Sequence, residues 1–240
     1  MNVASLRGKV AVVTGASRGI GWATAFALAE AGCHLALISR SPQTTRVADE
    51  VANTFGVSVL FQPCDVRDET AVAAFFDKVR ERLDHVDILF NNAGMSHSEA
   101  TIDKLSVDIW REVLDTNATG LLLPTKHALP LMARGAVIIN NLSIAAKNAF
   151  AGQAAYIASK WAGLGFTNTL REEVRKRGIR VVALMPGATN TDIWNQFWPE
   201  APRHKMMTPE TIAQAVVFAA SAAEEASVDE IVLGPVAGAL

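Results

Sequence analysis

The chain has 240 residues, half of them hydrophobic and 19% charged, with a formal net charge of −2. Such a chain buries a large core, is too apolar to stay unfolded, and carries no basic stripe of the kind nucleic acid requires. Its two cysteines, Cys33 and Cys64, exclude a disulfide framework and read as buried free thiols in a reducing cytoplasm.

The polar stretch 1–9 has no signal-peptide character, and no apolar run is long enough to span a membrane. The first strand falls at 9–13. It is a short apolar run rich in β-branched residues, as in a parallel sheet covered on both faces. Thr14-Gly15-Ala16-Ser17-Arg18-Gly19-Ile20-Gly21 follows and opens a helical pattern over 20–31. In this setting small residues let backbone N–H groups approach a pyrophosphate at a helix N-terminus. The glycine spacing departs from G-x-G-x-x-G, so a plain tight turn is the other reading. No Gly-Lys-Ser/Thr follows, which excludes a triphosphate P-loop.

The second strand, 34–39, ends in Ser39-Arg40, where an NAD-binding unit carries an acid for the ribose hydroxyls. Arg40 together with Arg18 suits a 2′-phosphate by charged, bidentate hydrogen bonds, which favours NADP over NAD. The alternative is that these arginines are simply solvated. A helix over 44–55 and a strand over 57–62 lead to Asp65. That carboxylate either accepts from an adenine amino group or caps the helix starting near Asp68.

Helical periodicity covers 68–83, and a fourth strand, 86–90, runs into Asn91-Asn92-Ala93-Gly94. Polar and small residues at a strand's C-terminal end mark the ligand side of an open α/β sheet. A long helical pattern over 106–134 contains Pro124 and Pro130, which should bend or divide it, and Asn117, a poor interior helix former. The fifth strand is 136–140, with Ser143 just past it. Then come a helix over 153–176, a strand over 179–185 closed by Pro186-Gly187, a helix over 208–222, and a last strand over 230–233. Seven strands alternating with helices predict one α/β domain over 1–240: a Rossmann-type, doubly wound parallel sheet. Its cofactor half lies at about 1–135 and its catalytic and substrate half at about 136–240.

Tyr156 and Lys160 stand four apart on the expected helix, hence on one face, and Tyr156 is the only tyrosine of the chain. A phenol titrates at about 10, and a nearby ammonium favours the phenolate. At about 5 Å and an effective dielectric of about 20 the attraction is roughly 3 kcal/mol, enough to bring the phenol into range for proton transfer. A Tyr and a solvated Lys one helical turn apart is also an ordinary surface pattern.

In order and on these elements, the residues resemble the short-chain dehydrogenase/reductase family. The resemblance rests on Thr14-Gly15-x3-Gly19-x-Gly21, Asp65, Asn91-Asn92-Ala93-Gly94, Asn117-x2-Gly120, Ser143, Tyr156-x3-Lys160, Pro186-Gly187 and Thr191. It implies that Tyr156 acts as general acid, that Ser143 orients the substrate oxygen, and that Lys160 holds the nicotinamide ribose and acidifies the phenol. It implies that Asn117 holds a water leading from Lys160 to solvent. Gly15, Ser17, Arg18, Gly19, Ile20 and Gly21 then surround the adenosine and pyrophosphate, with Ser39 and Arg40 beside the ribose. Asp65 and Val66 meet the adenine. Asn91, Ala93 and Gly94 take the ribose side, and Pro186, Gly187, Thr189 and Thr191 the nicotinamide end. The chain departs from the family's pattern at Leu142, Ala146 and Thr189, positions that touch pocket shape. Trp22, directly after Gly21, is accounted for only as packing.

The implied function is hydride transfer between NADP(H) and a ketone, aldehyde or secondary alcohol, with 3-oxoacyl-thioester reductases as the nearest broad type. A non-catalytic NADP(H)-binding sensor or scaffold is the alternative. Substrate contacts are expected from 95–97, 144–150 and 192–207. Trp194, Phe197 and Trp198 form either an apolar lid or a packing cluster. His97 touches the substrate or is ordinary surface. No metal site is expected. Trp161 beside Lys160, the long helices and the few charges point to a homo-oligomer, and the resemblance implies a homodimer or homotetramer through the helices near 106–134 and 153–176.

Overall fold

The computed structural model describes residues 5–42 and 44–238, with Phe197 described by its backbone alone, so the expectation for 1–9 lies partly outside it. The apolar runs become strands β1 (Val10–Thr14), β2 (His34–Ser39), β3 (Val59–Pro63), β4 (Ile88–Asn91), β5 (Val137–Asn141), β6 (Arg180–Pro186) and β7 (Glu230–Leu233). All pair parallel, in the order β3-β2-β1-β4-β5-β6-β7. The order reverses beside β1, so the connections leaving the paired strands β1 and β4 run to opposite faces in the manner of a doubly wound sheet, and a crevice opens at their C-terminal ends.

Alternate residues of each strand serve two cores. Val13, Leu35, Phe90 and Leu184 face helices α1 (Gly19–Glu30), α2 (Thr44–Phe55) and α8 (Pro209–Ala220). Val12, Ile38, Leu89 and Val181 face α3 (Glu69–Leu83), α5 (Gly120–Ala128) and α6 (Ala154–Val174). Both faces are covered, which is why the strands read as continuous apolar runs. Trp22 packs as expected, its ring 4.6 Å from Phe26, which in turn stands edge-on to Phe55 at 5.9 Å. Asp68 caps α3 by accepting from Ala71 N, and Thr208 caps α8 by accepting from Thr211 N.

The pattern over 106–134 resolves differently from its prolines. Ser106 caps α4 (Val107–Leu114), a wide π turn spans Asp115–Thr119, and α5 continues through Pro124 to end at a 3₁₀ turn, Leu129–Leu131. The division falls at Asn117, whose side chain has partners outside the helix. Pro124 is accommodated within α5, and Pro130 ends it. Short helices α7 (Trp194–Phe197) and the 3₁₀ turns Ile144–Ala146 and Arg203–Lys205 have no periodicity to announce them.

Between β4, β5 and the helices over them lies a buried polar chain. Asn91 Nδ2 donates to Thr125 Oγ1 (3.0 Å) and Asn140 Oδ1 (2.9 Å), and Asn140 Nδ2 donates to Thr167 Oγ1 (2.9 Å). Thr167 Oγ1 donates to Gly163 O at 2.7 Å. In a low-dielectric interior an unpaired polar atom is costly, so the network locks β4 and β5 to α5 and α6 in one register. Asn140→Leu is expected to strand its partners and lower the unfolding free energy by about 1–3 kcal/mol, measured by urea denaturation.

Candidate active site

The ends of β1, β4 and β5 are tied by side chains. Thr14 Oγ1 accepts from Asn92 N (2.8 Å) and Ala93 N (2.9 Å). Asn92 Nδ2 donates to Thr14 O (3.0 Å) and Gly15 O (3.3 Å), and Asn141 Nδ2 donates to Asn92 Oδ1 (2.9 Å). This ladder forms the floor of a cleft of about 1200 Å³, which runs from the glycine turn past α6 to the segment after β7.

Gly15, Ser17, Arg18, Gly19 and Ile20 line the cleft's first wall. Gly21 lies beneath it: a Cβ there would sit 2.2 Å from Gly15 O and 2.6 Å from Asn92 Nδ2. The last glycine is therefore demanded by close approach to the ladder, which explains why its spacing need not follow G-x-G-x-x-G. Ser39, Arg40, Asp65, Val66, Ala93 and Gly94 line the next stretch, and Pro186, Gly187, Thr189 and Thr191 the opposite one.

One expected site residue, Asn91, lies elsewhere, and Asn117 lies buried beside Gly94. Asn91, expected beside a ribose, is fully buried in the polar chain under β4 and does not reach the cleft. Adjacent strand residues point to opposite faces, so only its neighbour Asn92 can serve the cleft. Asn117 is 2% exposed; its Oδ1 accepts from Met95 N (2.8 Å), and its Nδ2 donates to Met95 O (2.8 Å) and Ser159 Oγ (2.9 Å). The side-chain amide thus fixes the Met95 turn against α6.

Ser143, Tyr156 and Lys160 meet on the cleft wall. Ser143 Oγ accepts from Ala145 N at 3.1 Å, which fixes the hydroxyl at the start of the 3₁₀ turn. Lys160 Nζ lies 5.5 Å from the Tyr156 ring centroid and donates to Asn141 O at 3.1 Å. The electrostatics differ from the expected acidified phenol. Burial pushes the Tyr156 phenol up, and the hydrogen bond with Ser143 pulls it only part of the way back. Burial likewise brings the Lys160 amine down to about 8. Desolvation disfavours both charged forms and outweighs the attraction between them, so Tyr156 is held as a protonated acid.

At the adenosine end the two guanidiniums part company. Arg18 Nη1 lies 3.2 Å from Asp192 Oδ2 across the cleft mouth, while Arg40 Nη1 stands 4.0 Å from Asp65 Oδ2. Arg67 grips Asp65, donating from Nη2 to Oδ2 at 2.8 Å and from Nε to both oxygens at 3.1 Å. Burial raises the Asp65 carboxyl, but these bonds and the charges of Arg67 and Arg40 more than offset it and hold it below the usual range. Cys64 lines this end and Cys33 lies in the core; burial pushes the thiols to about 11 and about 12, so both are unreactive.

At the far end the aromatic segment divides its duties. Trp194 is buried against Ala201 and Met206 and donates from Nε1 to Thr189 O at 2.8 Å, whereas Trp198 is 41% exposed to the cleft. The expectation for the Phe197 side chain lies outside the described residues. His97 is neither surface nor lining: it is 5% exposed, with Nδ1 2.8 Å from Ser98 O. Glu99, Gln153 and the stretch Val232, Leu233, Gly234 and Pro235 line the cleft and were missed. The last four follow from the rule already applied to β4, since they sit at the C-terminal end of β7. Glu99 and Gln153 carried no local signal.

The cleft fits a dinucleotide on its own geometry. The glycine turn leaves no room for a Cβ at Gly21, its mouth carries guanidiniums, and the volume exceeds that of a typical single-ligand pocket. Among the described residues no helix is long and apolar enough to cross a membrane, and no three His, Cys, Asp or Glu side chains are grouped to hold a metal.

Comparison with known proteins adds four findings. The family model described as short chain dehydrogenase matches residues 9–202. The 3-oxoacyl-[acyl-carrier-protein] reductase of Aquifex aeolicus is 33% identical over 227 residues, covering 90% of this chain and 91% of that protein. Among solved structures, the alcohol dehydrogenase of the archaeon Thermococcus sibiricus, complexed with 5-hydroxy-NADP, superposes with a TM-score of 0.88 at 31% identity, covering 96% of this chain and 97% of that one. The L-sorbose reductase of Gluconobacter frateurii, complexed with NADPH and L-sorbose, gives 0.88 at 30% identity and covers 98% of each chain.

The depressed Lys160 amine makes a stability prediction whose sign is fixed. Below pH 8 the folded chain carries the buried charge in full. Between about 8 and the ordinary 10.5 the unfolded chain binds more protons, so stability contributed by this group rises with pH. Against Lys160→Met, wild type is expected to gain up to about 3 kcal/mol in relative unfolding free energy across that window, measured by denaturant titrations at each pH.

Proposed function

The chain belongs to the short-chain dehydrogenase family, and from that premise we propose that it is an NADP(H)-dependent reductase of an apolar carbonyl compound. Membership makes it an oxidoreductase of C=O and CH–OH groups. The observation that carries the finer reading is the protonated, half-buried phenol of Tyr156 on the same wall as Ser143 and Lys160. When bound, the nicotinamide supplies a hydride to the carbonyl carbon.

The chain supplies the rest. Tyr156 donates its proton to the carbonyl oxygen, giving the alcohol, so atoms and charge balance with one hydride and one proton taken up. Ser143 hydrogen-bonds the same oxygen and holds it against the phenol. Lys160, anchored on Asn141 O, would hold the nicotinamide ribose and return a proton towards Tyr156.

Preference for NADP is supported by Arg40 and by the absence of an acid at the end of β2. Arg40 is largely exposed at the cleft and separated from Asp65 by 4.0 Å, so a 2′-phosphate can take it as a partner. Arg18 joins it only by leaving Asp192. Exposed apolar residues on α4, α5 and α6, among them Val107, Leu122 and Trp161, support a homo-oligomer formed through those helices. The two unreactive free thiols support a reducing, cytoplasmic setting.

Tyr156→Phe is expected to leave NADPH affinity nearly intact and to lower turnover on a carbonyl panel by at least about 10²-fold, read in steady-state kinetics. Arg40→Asp is expected to shift the ratio of kcat/KM from NADPH towards NADH; a variant that still prefers NADPH removes the 2′-phosphate assignment.

A further inference from the structure

We propose that the substrate carries a cationic group, an ammonium or quaternary ammonium on an apolar body, received by Glu99 and the aromatic faces of Phe150 and Trp198. The inference rests on the reductase reading of the same cleft and adds the substrate's chemical class. It starts from how charge is distributed along the cleft. The acids near the cofactor end are engaged: Asp65 by Arg67, and Asp192 by Arg18. Glu99, at the substrate end, has no ionic or hydrogen-bonded partner among the described residues, yet it lines the cleft.

Glu99 is also held in place. Ala100 N donates to Gly152 O at 3.0 Å, and Ala100 bridges Gln153 in parallel register. Ser96 Oγ donates to Gln153 Oε1 at 2.9 Å, while Gln153 Nε2 donates to His97 O at 3.3 Å. Gly152 has φ +77°, and a Cβ there would fall 2.3 Å from Glu99 Cγ, so the Glu99 stem lies directly on the Gly152 backbone. This wall leads straight into α6, and Tyr156 follows Gly152 by one helical turn. A fixed, unpaired carboxylate thus stands at the approach to the proton donor.

Two aromatic side chains face the same space: Phe150 is 44% and Trp198 41% exposed, both on the cleft lining. An aromatic face attracts a cation, and a carboxylate beside it adds charge. Two cations of the segments around the cleft are already committed. Lys147 pairs with Glu230 at 2.6 Å, and Arg203 donates to Thr191 O (2.7 Å) and Asn195 Oδ1 (2.7 Å). No free base remains among these residues for the phosphates of a carrier-linked thioester, and Glu99 repels them. Anionic substrates are disfavoured on the same ground.

The test uses two isosteric aryl ketones, one bearing a trimethylammonium arm and the other a neutral tert-butyl arm, with NADPH consumption followed for each. Wild type is expected to favour the cationic ketone in kcat/KM by about fivefold, the sum of one exposed ion pair and one exposed aromatic contact. Glu99→Gln is expected to lower the ratio to about twofold, the share left to the aromatic contact, Glu99→Lys to bring it to one or below, and added salt to shrink it in wild type. Calorimetric binding of both ketones to the NADP⁺ complex of wild type and Glu99→Gln reads the same preference without turnover. Equal treatment of the two ketones by wild type, or a preference undiminished in Glu99→Gln, overturns the cationic substrate. A Glu99-dependent preference in binding with neither ketone reduced supports the cation site and overturns the reductase reading instead.

Discussion

Everything in the cleft depends on how three parallel strands are tied at their open ends. Beyond its last ladder bond a parallel strand has backbone groups without partners, and these are costly unless something satisfies them. Thr14, Asn92 and Asn141 perform that task across β1, β4 and β5, with Asn92 using backbone and side chain together. The same bonds press the glycine turn against β4 so closely that Gly21 admits no side chain. One short polar ladder thus sets the turn that receives a dinucleotide and the height of the wall that carries Ser143.

Beneath the ladder a second polar chain runs from Asn91 through Asn140 to Thr167. The two chains use alternate residues of the same strands. Asn91 and Asn140 fix the helices over one face, while Asn92 and Asn141 serve the cleft. The alternation ties stability to function, because α6 is held in register by the buried set and presents Tyr156 and Lys160 to the open set. Asn117 adds a third point of attachment, where the π turn lets its amide reach the Met95 backbone and Ser159.

The proton chemistry is governed by desolvation. A phenol and an amine 5.5 Å apart would stabilise each other's charged forms in a wetter site. Here burial acts on both in the opposite sense, raising the phenol and lowering the amine to about 8. Near physiological pH the phenol therefore keeps its proton to give, and the amine, at about 8, is mostly protonated and can replace it. At the two ends of the cleft the charges are sorted by pairing: guanidiniums towards the cofactor, and a single unpartnered carboxylate, Glu99, towards the substrate.

The amino-acid order alone determined the seven-stranded parallel sheet, since runs such as Val10–Thr14 and Arg180–Pro186 have no polar face to offer water. It also put Tyr156 and Lys160 on one helical face, because spacing on one helix is a local fact, whereas Ser143 was placed with them through the family resemblance. Tertiary structure decided what depends on distant partners. Asn91 and Asn92 are alike as letters, and only the pleat sends one to the core and the other to the cleft. Asn117 and Arg18 met partners, Met95 and Asp192, that lie far along the chain. Glu99 became part of a wall only when Gly152 came against it. Period and propensity are properties of neighbours in sequence, whereas burial, pairing and desolvation belong to neighbours in space.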